Sequence, residues 1–266
     1  MYINSCIPWM KDQTELQKVV NLSFRLGYQA GIIDLRSEKE YNEYKKSSFY
    51  HSENLKLDFP ITVSKIPQIK PLNQPIALIP RITLTIKNPN DLKQKLSFWV
   101  SKRILIAVES IHKETLEVAA RDGRVDIISI PSMRFQQALT KGIISLARQN
   151  QIMFDLSITP LLEVEHFKRT QILRVLYRLF KSAKPISNIY ILGSHENIKN
   201  NSMLIRGPRE TVAILTSILH IPEYFAKEMV SKNLEKLFLR YIKRYLSLFI
   251  EPGVEIVDII KEGEKK

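Results

Sequence analysis

The sequence is poor in the residues from which many catalytic and structural sites are built. Cys6 is the only cysteine among 266 residues, which excludes an internal disulfide and a zinc cluster made of cysteines. The five histidines are scattered, and no two have the H-x-H, H-x-x-x-H or H-E-x-x-H spacing of a zinc site. The phosphate-binding loops G-x-G-x-x-G and G-x-x-x-x-G-K-[ST] are absent, as is the G-x-S-x-G turn. No standard catalytic motif is therefore available.

Membrane and secretion signals are missing as well. No apolar run has transmembrane length, and there is no lipid-anchor motif. The N-terminal segment Met1–Cys6 lacks the basic lead and long apolar stretch of a secretion signal. Together with the single cysteine, these absences predict a cytoplasmic protein that does not associate with membranes.

The charge is unbalanced in favour of the positive sign. Forty Lys and Arg face 27 Asp and Glu, which gives a net charge of +13 and a pI of about 9.7. Residues 134–250 hold eighteen basic and eight acidic residues, so the excess lies mainly in the second half of the chain. A charge of this size predicts attraction to a polyanion, and nucleic acid is the first candidate inside a cell.

Short apolar runs alternate with amphipathic segments along the whole chain. Strands are predicted at Tyr2–Ser5, Ala30–Leu35, Ile76–Ile86, Ile104–Glu109, Val125–Ile130, Ile152–Ile158 and Ile189–Leu192. Helices are predicted at about 12–27, 37–46, 89–101, 113–122, 134–149, 165–183, 208–219 and 222–248. This alternation predicts an α/β protein with a TIM-like (β/α) barrel, distorted or one strand short. An open doubly wound sheet is the alternative.

The rest of the chain offers no division into domains. Residues 36–75 form a polar, proline-containing excursion with an edge strand at Ile61–Lys65, and residues 193–203 have the composition of a loop. We predict a single barrel domain over residues 1–250, followed by a flexible acidic and mixed tail at 251–266.

One stretch combines four signals of an α/β unit. A helical segment ends near Arg121, Gly123 has the freedom of positive φ to end it, a β-branched strand follows, and Pro131 stops that strand.

Several acidic residues and one histidine, within or near the predicted strands, are candidates for a metal site. Asp34, Glu109, Asp126 and Asp155 lie within or at the ends of predicted strands, and in a barrel the C-terminal strand ends meet on one face. Glu109, His112, Asp126 and Asp155 would then form a Mg²⁺-type site of a metal-dependent phosphoesterase. Alternatively, the carboxylates cap helices, pair with Arg or Lys, or make a polar layer inside the barrel.

Basic residues give the clearer signal. Arg174, Arg178 and Lys181 share one face of the helix at 165–183. Arg206 and Arg209 flank a helix start at Pro208, a position suited to binding phosphate. An ordinary helix start and a solvated helix face are the alternatives. On this ground Arg174, Arg178, Arg206 and Arg209 are candidate RNA contacts, and the basic residue Lys141 is a further one.

Several segments, taken in order, resemble ribonuclease P protein component 3 of archaea and its eukaryotic nuclear counterpart. They are Leu105–Glu109, the helix before Gly123, Arg124–Ser129 with Pro131, Ile144–Asn150, Phe154–Leu162 and Arg206–Glu210. The resemblance implies a barrel similar in shape to the polymerase-and-histidinol-phosphatase hydrolases. Where those enzymes have an H-x-H after the first strand, this chain has Asn4-Ser5-Cys6-Ile7.

The resemblance also implies a function. The chain would be a non-catalytic subunit of an endoribonuclease whose RNA removes the 5′ leader of precursor tRNA. Its partners would be the ribonuclease P RNA, protein component 2, other ribonuclease P proteins and, indirectly, precursor tRNA. It would carry no cofactor, since the Mg²⁺ belongs to the RNA. Basic residues expected by resemblance are present at Arg124, Arg134 and Arg206, so the resemblance adds Arg124 and Arg134 to the candidate RNA contacts. Ile130 and Phe135-Gln136-Gln137 depart from the family pattern.

Overall fold

The computed structural model describes residues 2–50, 77–102, 104–130, 138–158, 161–162, 166–182, 190–193, 205–245, 249–251 and 254–255. Within them, seven strands form one sheet: β1 Ile3–Pro8, β2 Ala30–Leu35, β3 Ala77–Thr85, β4 Leu105–Glu109, β5 Ile127–Ile130, β6 Met153–Ser157 and β7 Tyr190–Gly193. A separate antiparallel pair consists of β8 Phe249–Glu251 and β9 Val254–Glu255.

Helices follow most of the strands. They are α1 Gln13–Arg25, α2 Glu38–Lys45, α3 Pro89–Trp99 with a 3₁₀ turn at Val100–Lys102, α4 Lys113–Arg121, α5 Lys141–Gln149, α6 His166–Ser182, α7 Pro208–Ser217, α8 Glu223–Val230 and α9 Lys232–Tyr245. Side-chain caps fix several helix starts, because Asp12, Ser37, Asn88 and Thr140 each accept a hydrogen bond from a backbone N–H in the first turn.

The sheet is parallel throughout and its strands follow one another in chain order from β1 to β7. β7 lies against β1, so the sheet curls into a nearly closed barrel with helices outside. This arrangement confirms the predicted TIM-like barrel and sets aside the open doubly wound sheet. Each of the seven predicted strands overlaps an observed one.

Two apolar layers hold the barrel together. The outer layer lies between the sheet and the helices, where residues such as Ile33, Ile106 and Ile128 pack with helix residues such as Leu116. The inner layer fills the barrel near the strand starts with Ile3, Ala30, Ile32, Ile79, Leu105, Ala107, Ile127, Met153 and Ile191. The two sets alternate along each strand because successive side chains point to opposite faces.

Helix α9 closes the N-terminal end of the barrel. Its buried residues join the inner layer: Leu234, Leu237, Phe238 and Tyr241. Arg240, on the same helix, donates a 2.9 Å hydrogen bond to the carbonyl of Gln151, which precedes β6. The interior is therefore apolar and plugged at this end.

Two predicted helices differ from the observed ones. The helix predicted at 134–149 begins at Lys141, because Thr140 caps it; residues 138–140 are not helical and 131–137 lie outside the described residues. The helix predicted at 222–248 is two helices, since Ser231 leaves helical geometry with φ −133° and ψ −83°. The helix predicted at 37–46 is confirmed as α2.

Gly123 does not use the freedom expected of it, because Gly27 (φ 100°) is the only described glycine with positive φ. The turn is held instead by Asp122, whose side chain accepts the backbone N–H of Arg124 at 3.0 Å.

Some predictions fall outside the described residues. They are the edge strand Ile61–Lys65, the loop after Gly193 and most of the C-terminal tail, so the boundary at residue 250 stays a prediction. In the part of the chain that is described, no helix combines the length and apolarity that crossing a bilayer requires.

Candidate functional site

Charged residues inside the barrel gather at the end where the strands finish. Asp34, Arg81, Glu109 and Asp155 follow the apolar inner residues of their strands at two-residue spacing, so they too point inward. The sheet register places Asp34 beside Arg81. We name Asp34, Arg36, Arg81, Glu109 and Asp155 the mouth cluster. Since barrel enzymes carry out their chemistry at this end, it is the first candidate site.

Arg81 is the centre of the mouth cluster and is 0% exposed. Its Nε donates to Asp34 Oδ1 at 2.8 Å and to Thr83 Oγ1 at 3.1 Å. Its Nη1 donates to Asp155 Oδ2 at 2.5 Å and to the carbonyl of Ser5 at 3.2 Å. Thr83 in turn donates a hydrogen bond to Asp34. One guanidinium thus binds groups from β1, β2, β3 and β6, because it is long enough to reach across the barrel.

Arg36 extends the cluster towards solvent. It follows β2, its side chain is 18% exposed, and its Nε lies 2.9 Å from Asp34 Oδ2. Its Nη1 donates to Glu109 Oε2 at 2.7 Å, while Ser129 donates to Glu109 Oε1 at 3.1 Å. The result is one continuous series of charges: Asp155, Arg81, Asp34, Arg36 and Glu109.

The electrostatics keep Asp34 and Arg81 ionised at neutral pH. Burial acts to raise the pKa of Asp34, but Arg81 and then Arg36 oppose it and leave that pKa below its ordinary value. Burial acts to lower the pKa of Arg81, but Asp34 and Asp155 hold it well above its ordinary value. Burial raises the pKa of the nearby Cys6 thiol, which makes it a poor nucleophile and metal ligand.

The residues predicted to form a metal site do not converge. Glu109 and Asp155 both lie in the mouth, but each binds an arginine there. Asp126 precedes β5 at the opposite end of the barrel, and His112 is exposed at the start of α4. No three His, Cys, Asp or Glu among the described residues are arranged to hold a metal ion.

Asp126 has a structural role instead. It accepts the backbone N–H of Ile106 at 2.9 Å and pairs with Arg240 at 3.4 Å, which ties α9 to the barrel. Two alternatives were drawn from the sequence, carboxylates that pair with Arg or Lys and carboxylates that make a polar layer inside the barrel, and both describe observed contacts. The proposed phosphoesterase site is therefore not formed by these four residues.

Sequence reasoning missed Arg81 and Arg36, the two cations of the mouth cluster. A signal for Arg81 was present, because an arginine within the apolar strand Ala77–Thr85 must find a partner if it is buried. Nothing in the sequence states which carboxylates it binds, since Asp34 and Asp155 lie 47 and 74 residues away.

The candidate RNA contact Arg124 lies at the N-terminal end of the barrel, just before β5. Its Nε and Nη2 donate to Asp122 at 2.9 and 2.7 Å, and its Nη1 donates to Ser97 of α3 at 3.2 Å. Its side chain is 33% exposed. The guanidinium is thus oriented by the fold, and part of its charge is balanced by Asp122.

Arg206 and Arg209 lie near the same end. The hydroxyl of Tyr28, which precedes β2, donates to the Arg206 carbonyl at 2.8 Å, and burial raises the pKa of Tyr28 to about 12. Arg206 is partly buried and Arg209 is exposed. The Glu210 carboxylate accepts the N–H of Gly207 at 3.0 Å, so an internal carboxylate already occupies the start of α7.

The remaining candidates are spread over other surfaces. Lys141 is exposed at the start of α5, at the mouth end, and Arg174 is exposed in the middle of α6. Arg178 belongs to α6, but its side chain lies outside the described residues, as does all of Arg134. The five candidates whose side chains are described therefore do not form one patch, and the RNA contacts of all seven stay predictions.

Comparison with known proteins gives a consistent result. The family model described as RNase P subunit p30 matches residues 1–246. A chain in a cryo-EM structure of archaeal ribonuclease P with mature tRNA is similar in fold, with a TM-score of 0.68 and 16% identity over 98% of this chain and 100% of that chain. No curated protein sequence matches significantly.

Proposed function

This chain belongs to the RNase P subunit p30 family. From that premise we propose that it acts as a protein subunit of ribonuclease P. Catalysis in this enzyme belongs to the RNA, and the protein binds and supports that RNA. The observation that carries the proposal is the family match, which spans residues 1–246.

The mouth cluster supports a non-catalytic role. Asp34, Glu109 and Asp155 lie where a barrel enzyme keeps its catalytic acids, and each binds an arginine of the same chain. A carboxylate held in a buried ion pair is not available to bind a metal or to take a proton from a substrate. The interior of the barrel is therefore structural, and we assign function to its outer surface.

The charge supports RNA as the partner. A chain with a net charge of +13 attracts the phosphate backbone, and each phosphate contact releases condensed counterions. We propose that Arg124, Arg134, Lys141, Arg174, Arg178, Arg206 and Arg209 contribute contacts of this kind. By screening phosphates that repel one another, they would stabilise the folded RNA and the Mg²⁺ ions that the RNA binds.

Further partners complete the proposal. We expect a heterodimer or larger assembly with ribonuclease P protein component 2, contact with other ribonuclease P proteins, and only indirect contact with precursor tRNA. We also expect a cytoplasmic location, which cell fractionation would check.

Reconstitution tests this function. Catalytic RNA is mixed with component 2, with or without this chain, and precursor-tRNA cleavage is measured across Mg²⁺ concentrations. We expect the chain to lower the Mg²⁺ concentration needed for cleavage and to show no cleavage without RNA. Cleavage by the protein alone, or an unchanged Mg²⁺ requirement, would contradict the proposal.

Matched charge variants test the surface assignment. Arg134→Ala with Arg206→Ala should weaken activation of the RNA. The control removes two lysines that are in exposed ion pairs with glutamates, Lys18→Ala with Lys227→Ala, and should activate like wild type. If both double variants behave alike, the surface assignment is wrong while the subunit role stands.

A further inference from the structure

The mouth of this barrel contains buried oxygen atoms of the kind that bind hard metal ions, but they surround an arginine. Asp34 Oδ1, Thr83 Oγ1, Asp155 Oδ2 and the Ser5 carbonyl all lie within 3.2 Å of the Arg81 guanidinium nitrogens. Carboxylate, hydroxyl and carbonyl oxygens from four strands are a donor set typical of Mg²⁺, Mn²⁺ or Ca²⁺. The residues present fit a divalent ion only if Arg81 is absent.

The charges of the cluster lead to the same conclusion. Three carboxylates face two guanidinium groups, so the mouth cluster carries a net charge of −1 when all five are ionised. Without Arg81 the cluster would carry −2, which a single divalent cation would neutralise. A buried carboxylate without a compensating cation takes up a proton instead of staying ionised, and the Arg81 guanidinium is a cation in contact with both Asp34 and Asp155.

The hydrogen bonds of Arg81 indicate that it is placed in the cluster mainly for its positive charge, and not to give every N–H an acceptor. Its Nη2 is buried and donates to no group in the described part of the chain, although Nε and Nη1 each have two acceptors. A group placed mainly for hydrogen bonding would leave no buried donor without an acceptor.

We propose that the guanidinium of Arg81 is the built-in cation of this barrel, which occupies the position of a divalent metal ion and excludes one. Removal of its charge converts the mouth into a divalent-cation site formed by Asp34, Thr83, Asp155 and the Ser5 carbonyl. In the wild-type protein, the fold then does not depend on free Mg²⁺. This inference does not rest on RNA binding. It can fail while the proposed function stands, and the proposed function can fail while the inference stands.

The test compares wild type, Arg81→Ala, Arg81→Lys, Asp155→Asn and the double variant Arg81→Ala with Asp155→Asn. Thermal unfolding is followed in EDTA and in increasing Mn²⁺, and Mn²⁺ binding is measured directly by calorimetry. We expect the unfolding temperature of the wild-type protein to be the same in EDTA and in Mn²⁺. The same should hold for Arg81→Lys. In EDTA, Arg81→Ala should unfold at a lower temperature than wild type, and it should bind one Mn²⁺. At a Mn²⁺ concentration one hundredfold above the Kd, its unfolding temperature should rise by about 5–10 °C.

The double variant is the control for the site. It should bind no Mn²⁺, because it lacks one of the two carboxylates that contact the Arg81 guanidinium in the wild-type protein. Two results would overturn the inference: a folded Arg81→Ala protein that binds no Mn²⁺, or wild-type protein that binds one Mn²⁺ in a manner abolished by Asp155→Asn.

A failure of Arg81→Ala to fold in EDTA would also be informative. The protein is then refolded with Mn²⁺ present, and recovery of cooperative unfolding supports the inference. No recovery with Mn²⁺, alongside a folded Arg81→Lys protein, counts against it, because the cation would then not be replaceable by a metal.

Discussion

Gly207 lies against the end of α1, where a side chain has no room. A Cβ at this position would come 2.8 Å from the backbone oxygen of Leu26. Backbone cannot move aside as a flexible side chain can, so we expect Gly207→Ala to lower the free energy of unfolding by roughly 1–3 kcal/mol. Urea unfolding followed by circular dichroism measures the change.

Gly142 is the matched control for this substitution. It lies exposed in the first turn of α5, and a Cβ there would meet only Thr140 Oγ1 at 3.7 Å, an ordinary contact. Gly142→Ala should therefore raise the free energy of unfolding by about 0.5 kcal/mol, because alanine loses less backbone entropy in a helix. An equal effect of the two substitutions would show that the contact with Leu26 is unimportant.

The lowered pKa of Asp34 predicts how the free energy of unfolding changes at low pH. Its folded pKa lies below the unfolded value of about 3.9, so its contribution to stability is complete above that value. The contribution is lost as the pH falls through the folded pKa, because the unfolded chain then binds more protons than the folded one. Asp34→Asn should be less stable at pH 7 and should lose less stability between about pH 4 and pH 3 than wild type.

Urea midpoints at intervals from about pH 3 to pH 7 measure this difference. Asp91→Asn, which removes one exposed carboxylate from α3, serves as the control for net charge. Parallel pH curves for Asp34→Asn and wild type would refute the assigned role of the Asp34 ion pairs.

Among the helices, α9 closes the N-terminal end of the barrel. Leu237 is 0% exposed and packs with the inner residues at the strand starts, whereas Leu239 on the same helix is 37% exposed. Leu237→Ala should lower the free energy of unfolding by about 2–5 kcal/mol, because it removes buried apolar surface and leaves a cavity in the interior.

Leu239→Ala provides the comparison within the same helix. Since its side chain is exposed, the substitution should change stability by no more than about 0.5 kcal/mol. Urea unfolding of both variants is the measurement. Similar destabilisation by the two substitutions would mean that α9 does not close the barrel as described.

For the whole molecule, the net charge of +13 predicts a steep dependence of RNA binding on salt. The logarithm of the association constant should fall linearly with the logarithm of salt concentration. Arg206→Ala with Arg209→Ala should reduce the magnitude of that slope by about one for every phosphate that the variant no longer binds. Filter binding at a series of salt concentrations between about 50 and 200 mM measures the slope.

The Lys18→Ala with Lys227→Ala protein has the same net charge as this variant and serves again as the control. A slope unchanged by the two arginine substitutions would remove Arg206 and Arg209 from the set of RNA contacts. Binding that does not respond to salt at all would mean that the positive charge has no part in RNA binding.

Local patterns predicted the elements of this barrel well. The alternation of apolar and amphipathic segments located all seven strands, because a strand buried on both faces has to be continuously apolar. Helix ends were harder to place. One predicted helix is interrupted at Ser231, and another begins only after Thr140. Each outcome depends on the backbone conformation of a single residue, which hydrophobic periodicity does not report.

The sequence by itself determined the fold class and the positive charge, since these follow from residue types and their spacing. Only the tertiary structure decided what the acids do. Asp126 and Asp155 look equivalent along the chain, yet one ties α9 to the base of the barrel and the other binds Arg81 in the mouth. The reason is physical: a parallel barrel brings together side chains separated by 47 to 76 residues, and pairing across such distances leaves no local pattern.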